Sequence, residues 1–541
     1  MSTLIKSECA IIGGGLAGCA AALELAEAGK KVELFVKEDL LENCNSYLLA
    51  GGLTAVSPNT DDAYELHVKE TLAAGKELND LKIVEFCSKH FYPDVIEWLI
   101  GKGVHFDKIN GKFDLHREGG HSKNRIFHVQ DTTGKSMMEV LAHAVRTNKN
   151  INVHENHMVI DLITTRKLGI QGREECLGFY VYDITNDIVK TVSCNATFVA
   201  TGGLGKIFLY TSNSDIATGD GFAMCYRAGI SLANMEFIQF HPTVFYDSSA
   251  EAEHERRFLL TEALRGAGAI LKLTKDSKED FVLKHHPLGS KATRDVVSRA
   301  EDVEMRAGGL LHVWLDCTKI DSKRLKEDFK NTYDFCLKKG YDLTRDSVPV
   351  VYAEHYSNGG VMVDENSETS INGCYAIGEV SHTGLHGATR LASNSGPECI
   401  LFGRVAAQHF IKQNKKKTIV DLPLWKTGKA TEMRDQVTIG YYWETIRRTM
   451  NALCGMSRKG ERLQAALDLI ESMRKGINQF YWDYHISKNF LEVRNVADVA
   501  KIVVASALER KETRACHCRE DFPDTLPAYN KLTIIRRDQN A

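Results

Sequence analysis

The sequence predicts an α/β and α+β multidomain protein, in which a Rossmann-like domain is assembled from distant pieces of chain, a second domain is inserted into it, and a helical domain follows. Three observations predict this. An apolar run, a glycine cluster and a helical pattern open the chain. Two further apolar strands ending in glycine lie far downstream, and the last quarter of the chain carries mainly helical periodicity. At 541 residues the chain exceeds the ~250–300 residues at which a single core stops growing, so two or three domains are expected.

In order, Glu8 to Gly13 is a short apolar run, Ala17 to Ala28 has helical spacing and Lys31 to Val36 reads as a strand, which together make a βαβ unit. Glycine-terminated strands recur at Ala196 to Gly203 and at Gly373 to Glu379. Their separation predicts one nucleotide-binding domain formed by residues 1–234 and 355–417. The insertion, 235–354, mixes strand-like pieces with charged helical stretches such as Ser322 to Lys339 and is expected to form a cap. Lys412 to Lys417 reads as a solvated connector. Beyond it, Glu461 to Lys475 and Leu491 to Glu512 carry helix periodicity, so 418–541 is expected to be a helical bundle.

Composition excludes several classes. With 68 Lys and Arg against 71 Asp and Glu, no positive field favours nucleic acid or an anionic membrane. No apolar stretch approaches the ~18–20 residues of a spanning helix. The first eight residues lack the basic flank and apolar core of a secretory signal, so a cytoplasmic location is expected. The 14 cysteines are scattered and read as reduced core residues. Only Cys516-His517-Cys518 is clustered, and with no second pair to complete four ligands, no metal is expected.

Gly13-Gly-Gly15-Leu-Ala-Gly18 is a GxGxxG placed between a predicted strand and helix. The first glycine permits the tight turn, the second lets backbone approach a pyrophosphate, and the third lets the helix pack on the strand with its N–H groups facing the anion. At the end of the second strand Val36 cannot bond a ribose hydroxyl, leaving Glu38 as a candidate and Lys37 as either a cofactor contact or a solvent-exposed side chain. No second GxGxxG occurs, which favours a bound flavin over a nicotinamide-plus-flavin pair and leaves a simple NAD dehydrogenase open.

Six short stretches set His, Arg or Glu beside glycine-rich turns: Arg117 to Ser122, Gln239 to Pro242, Thr261 to Gly266, Ala292 to Asp295, His355 to Gly360 and His386 to Arg390. Guanidinium forks and imidazole donors suit an anionic ligand with carboxylates. Taken singly, each His reads equally as a structural residue and each Arg as a surface ion pair. Spacing alone does not bring the six together.

Arg117-Glu-Gly-Gly-His-Ser122 followed by Arg125-Ile-Phe-His128 and Asp131-Thr-Thr-Gly134 resembles the L-aspartate oxidase family, and so do Ser214 to Gly221, Gly359 to Asp364 and Gly378 to Gly387. The wider family includes succinate dehydrogenase and fumarate reductase flavoproteins. The resemblance implies an FAD-binding domain with an inserted capping domain and a C-terminal helical domain. It implies FAD held by Gly13, Gly14, Gly15, Leu16, Ala17, Gly18, Lys37, Ser46, Gly51, Gly52, Asp220, Glu379, Ser395 and Gly396. It implies noncovalent FAD, because Asn43 to Tyr47 lacks the attaching histidine of the wider family. Arg294, Glu118 and Glu262 are the implied catalytic residues, and Gln239, His241, Thr261, His355 and Arg390 the implied substrate ligands.

The implied reaction takes a hydride from L-aspartate to leave iminoaspartate, with O2 or fumarate as acceptor and quinolinate synthase as pathway partner in NAD biosynthesis. Departures from the family pattern are Ala50 for Gln, Thr389 for Asn, Gly396-Pro397 for Leu-Leu and Ala267 for an acidic residue. They keep two alternatives open: a soluble fumarate reductase or succinate-oxidising flavoprotein, and a flavin-binding protein that has lost turnover.

Overall fold

The computed structural model describes residues 3–58, 60–249, 256–413, 420–432 and 435–537. At its centre the strands Ile151–His154, Val32–Phe35, Leu4–Ile12 and Ile188–Val199 lie parallel and side by side, and Cys374–Ala376 pairs with the end of the last of them. Cys9 aligns with Val32 on one side and Ala196 on the other, so the three glycine-terminated strands end together at one edge. An antiparallel hairpin, His157–Thr164 with Cys176–Asp183, widens the sheet beyond Ile188–Val199.

The parallel strands read as continuous apolar runs because both faces are covered. Helices Leu16–Glu27, Thr133–Thr147 and Ser395–Gln413 pack one face around Ile11, Leu34, Leu141 and Phe402. Helix Asp220–Ala228 and the C-terminal helices Gln436–Leu453, Gly460–Asp483 and Lys488–Glu509 share the core of the other, with Val199, Phe222, Ile446 and Val496 in one cluster. The C-terminal helices therefore complete the core of the nucleotide-binding sheet.

The insertion builds a separate antiparallel sheet, Ile238–Phe245, Ser347–Ser357, Val313–Asp316 and Ile270–Lys272 in that order, with its own core around Leu271, Val297, Leu315 and Val350. The strand Ser347–Ser357 runs unbroken through Glu354, where sequence reading placed the end of the insertion. Ser322 to Lys339, read as one helical stretch, forms two helices, Ser322–Glu327 and Lys330–Lys338. Asp321 caps the first by accepting from the N–H groups of Lys323 and Arg324.

The expected helix Leu491 to Glu512 stops at Glu509. Arg510 leaves the helix to pair with Glu236 and Glu512 in the interior. Residues 510–537 are a tail in which Cys518–Arg519 pairs with Ser457–Arg458 and Ile534–Ile535 joins Leu232–Ala233. Lys412 and Gln413 end a helix, while the rest of the Lys412 to Lys417 link and the boundary at 417 lie outside the described residues.

None of the 14 cysteines, all among the described residues, is in a disulfide. His517, between two of them, accepts a hydrogen bond from Arg458 and donates to the Arg510 carbonyl, a structural role. No helix among the described residues is long and apolar enough to cross a membrane.

One buried charge network ties the C-terminal helices to the sheet. Arg227 donates to Asp161 at 2.7 Å and to Asp498 at 2.8 Å, while Arg494 and Arg474 approach the same two carboxylates. Arg227→Ala should destabilise the protein by about 3 kcal/mol, since it leaves buried carboxylates short of their central cation. Urea and thermal unfolding midpoints check this, and an unchanged midpoint would show that Arg474 and Arg494 suffice.

Candidate active site

The glycine cluster turns where the first strand ends. A Cβ on Gly13 would fall 2.2 Å from the Ala200 carbonyl oxygen, and one on Gly18 would fall 1.9 Å from the Gly13 carbonyl oxygen. Only bare backbone allows strand, loop and helix to approach this closely. Helix Leu16–Glu27 begins at Gly15 with no acidic residue in its first turn, and the Leu16 N–H donates to Ser46 Oγ at 3.0 Å. Gly14, Gly15, Leu16, Ala17 and Ser46 thus form a helix N-terminal cradle of the kind that holds a pyrophosphate. A cleft beside it is lined by Gly13, Gly14, Val36, Lys37, Thr201 and Asp220.

Lys37 is not solvent-exposed. Its ammonium bridges Asp220 and Glu492, both at 2.9 Å, and donates to Thr218. Burial alone would lower its pKa, but the two carboxylates hold it above the ordinary lysine value. Glu38 is paired with Lys488 and Asn43. With both side chains engaged in ion pairs, residues 37 and 38 offer the cleft their backbone.

At the other end of the site, Glu379 accepts from the Ser357 N–H and lies where a Cβ on Gly203 would come within 2.4 Å of it. Burial pushes its carboxyl up to about 7. Glu354, which sequence reading passed over, is pushed by burial and by Glu379 to about 8. Gly51 and Gly52 pass against Glu118 and the Phe127 carbonyl. At Gly396 a Cβ would lie 2.3 Å from Leu53, so Leu53 fills the space a larger residue would take. Pro397 sits in the first turn of its helix, where an N–H has no intrahelical partner to lose.

Most of the predicted substrate residues converge. Arg390 Nη1 donates to Ser395 and Nη2 to Gln239 Oε1, and the Gln239 amide donates to Thr389 Oγ1 at 2.9 Å. Thr389 is also 2.8 Å from Cys516 Sγ of the tail. Asn358 accepts from the Arg390 N–H, a contact with no signal in the sequence. The His241 and His355 rings are 5.5 Å apart, and Ser212 bonds His355 Nδ1 at 2.8 Å. Arg294 pairs with Glu262, whose other oxygen is 3.4 Å from the fully buried Arg265. Arg265 lay in the Thr261 to Gly266 stretch but was given no role of its own. Thr261 is half-buried and accepts from the Ala263 N–H.

Glu118 enters from the loop after Arg117. Ser393, in the left-handed region at φ 59°, donates to it at 2.6 Å. His121 fixes that loop by donating to the Ala392 carbonyl, and the buried Arg125 by pairing with Asp62 and Glu70. Burial alone would raise Glu118, yet the nearby His116, a hydrogen bond from Ser393 and the charge of Arg294 hold it at about 2.

Burial, then the charges of Arg294 and its neighbours, keep His241 and His355 neutral. Glu262 outweighs burial to hold Arg294 protonated, which makes Arg294 a fixed cation and a poor base. His241 Nε2 and Arg390 Nε are buried with no hydrogen-bond partner among the described residues. Buried donors left open beside two guanidiniums are built to meet an anion with several acceptor oxygens.

A glycine-cradled dinucleotide cleft together with this cationic pocket is the equipment of an FAD-binding flavoprotein oxidoreductase. Residues 8–395 match the FAD binding domain family and 443–541 the fumarate reductase flavoprotein C-terminal family. Across 96% of both chains the protein is 41% identical to L-aspartate oxidase 1 of Ralstonia nicotianae, and it is 41% identical to L-aspartate oxidase of Yersinia pestis over 96% of this chain and 97% of that one. The FrdA chain of E. coli quinol fumarate reductase superposes with a TM-score of 0.87 at 25% identity, covering 99% of this chain and 95% of that one. The chain belongs to the L-aspartate oxidase family.

Arg390→Lys keeps the charge but loses the planar fork that reaches Gln239 and Ser395 together. Binding of a four-carbon dicarboxylate should weaken roughly ten- to a hundredfold, about 1.5–3 kcal/mol. Calorimetric titration with succinate checks this, and unchanged affinity would remove Arg390 from the pocket.

Proposed function

We propose that this protein oxidises L-aspartate to iminoaspartate, the first step of the quinolinate route to NAD, in the cytoplasm and ahead of quinolinate synthase. The observation that carries the reading is the pairing of an anion pocket with Glu118, a carboxylate kept charged at its edge. Arg390, His241 and His355 receive the carboxylates, Gln239 holds the Arg390 fork and Thr261 lines the pocket wall. Glu118 faces the amino group, because a carboxylate that stays ionised among cations is the one group here suited to an ammonium.

FAD fits the cleft described above, with Gly13 to Gly18 and Ser46 at the pyrophosphate, Lys37 and Asp220 at the adenosine end, and Gly51, Gly52, Glu379, Ser395 and Gly396 along the rest. When bound it would supply a two-electron acceptor for the C2 hydride, with O2 (giving hydrogen peroxide) or fumarate as the final acceptor. We assign this work to an FAD-binding domain of 1–234 and 355–417, a cap of 235–354 and a C-terminal domain of 418–541 whose last α-helix ends at Glu509.

In the oxidative direction no base is needed at C2, since that hydrogen leaves with its electron pair. The chain's own contribution is to hold the substrate in one orientation and to take a proton from its ammonium. With fumarate as acceptor, protonated Arg294 is the acid, and the Glu262 carboxylate, placed between Arg294 and Arg265, can relay a proton back to it. The likeness to a fumarate reductase chain favours one alternative, a succinate-oxidising enzyme, which needs no group like Glu118.

Anaerobic mixing separates the two readings. L-Aspartate should bleach the flavin absorption and succinate should not, with colour restored by air or fumarate. Bleaching by succinate alone would move the protein to the dicarboxylate branch. Glu118→Ala should slow reduction by L-aspartate roughly a hundredfold or more while leaving reoxidation by fumarate within about threefold.

A further inference from the structure

Glu118 has a further neighbour that is open to solvent. His116 lies on the short strand Leu115–His116, opposite Ile126, and its carbonyl accepts from the Arg125 N–H. Its Nε2 is 3.9 Å from Glu118 Oε1, and its side chain is 40% exposed. Its ring centroid is 4.4 Å from that of His128. His128 in turn lies 3.3 Å from Asp107 and 3.6 Å from Asp114, both partly open to solvent. The groups facing His116 are thus Glu118, with Arg294 and Ser393 behind it, and His128, backed by the two aspartates. They form a polar path from the pocket edge to water.

Resting on the function proposed above, we propose that His116 takes the proton that Glu118 receives from the substrate ammonium and hands it to solvent. An ammonium has no lone pair with which to stabilise C2 as its hydride leaves, so one N–H bond must break first. Glu118 must lose that proton before it can meet the next ammonium. The proton passes from N to the Glu118 carboxylate and then to His116 Nε2, across one bridging water or after a small rotation. It is released to water, while the C2 electron pair leaves with its hydrogen and the product departs as the protonated imine. Imidazole is the side chain suited to such a hand-over near neutral pH. His116 acts through Glu118 and is a positioning and relay residue, not a group that touches substrate.

The holoenzyme tests this with His116→Gln and His116→Ala. Anaerobic flavin reduction by L-aspartate should fall about tenfold or more in both variants near pH 7 and approach the wild-type rate near pH 9.5, where free amine is abundant. Added imidazole should restore His116→Ala. Binding supplies a readout without turnover, with the flavin held reduced. The imidazole can engage Glu118 in place of the substrate ammonium, so affinity for L-aspartate relative to succinate should differ several-fold between wild type and His116→Gln. An equal loss of rate at every pH, or no loss, with the same affinity ratio in both proteins, would overturn the relay. Wild-type enzyme that L-aspartate does not bleach would instead overturn the function on which it rests.

Discussion

Everything around the pocket answers to the confinement of three guanidiniums, Arg265, Arg294 and Arg390, in a space from which water is largely excluded. Unpaired, such charges would unfold the region. Glu262 lies between Arg294 and Arg265, the Ser290 and Ala292 carbonyls take up more of Arg265, and Gln239 and Ser395 hold Arg390. The two imidazoles stay neutral because another positive charge there is prohibitive. Local positive charge remains after this pairing, and an incoming dianion completes the balance. Substrate recognition and stability of the apoprotein are two sides of one electrostatic account.

Much of the fold could be read from local chemistry. Gly13 to Gly18 announce themselves because close backbone approach admits no other residue, and strands covered on both faces appear as unbroken apolar runs. The length of the element at Ser322 was misjudged because the residues around Asp328 and Phe329 carry no glycine or proline to mark a break. Ser347–Ser357 crosses an expected boundary because a strand can belong to the cap's sheet at one end and to the site at the other.

The site was legible as residue types but not as an assembly. Six polar stretches spread over 270 residues or more carried the right chemistry, yet nothing in their spacing says that they meet. Lys37 shows the limit most clearly, since its environment is set by Glu492, some 455 positions away, and its own neighbourhood reads as surface. Ser393 and Glu354 were given no role, and Asn358 was only one member of the His355 stretch, for the related reason that each acts through contacts made across the fold. Family resemblance supplied the grouping that periodicity could not.

The tail that follows the last long helix has a bearing on synthesis as well as on structure. Cys516 touches Thr389 behind the Gln239 amide, Arg514 donates to the Lys76 carbonyl, and Thr533 is bonded to Asn234 beside the start of the cap. These residues leave the ribosome after everything they brace. A nascent chain can close the core of its nucleotide-binding sheet only once the helices up to Glu509 have emerged, and the wall behind the arginine fork only when the tail follows, so a chain stalled before it would carry a loosened pocket.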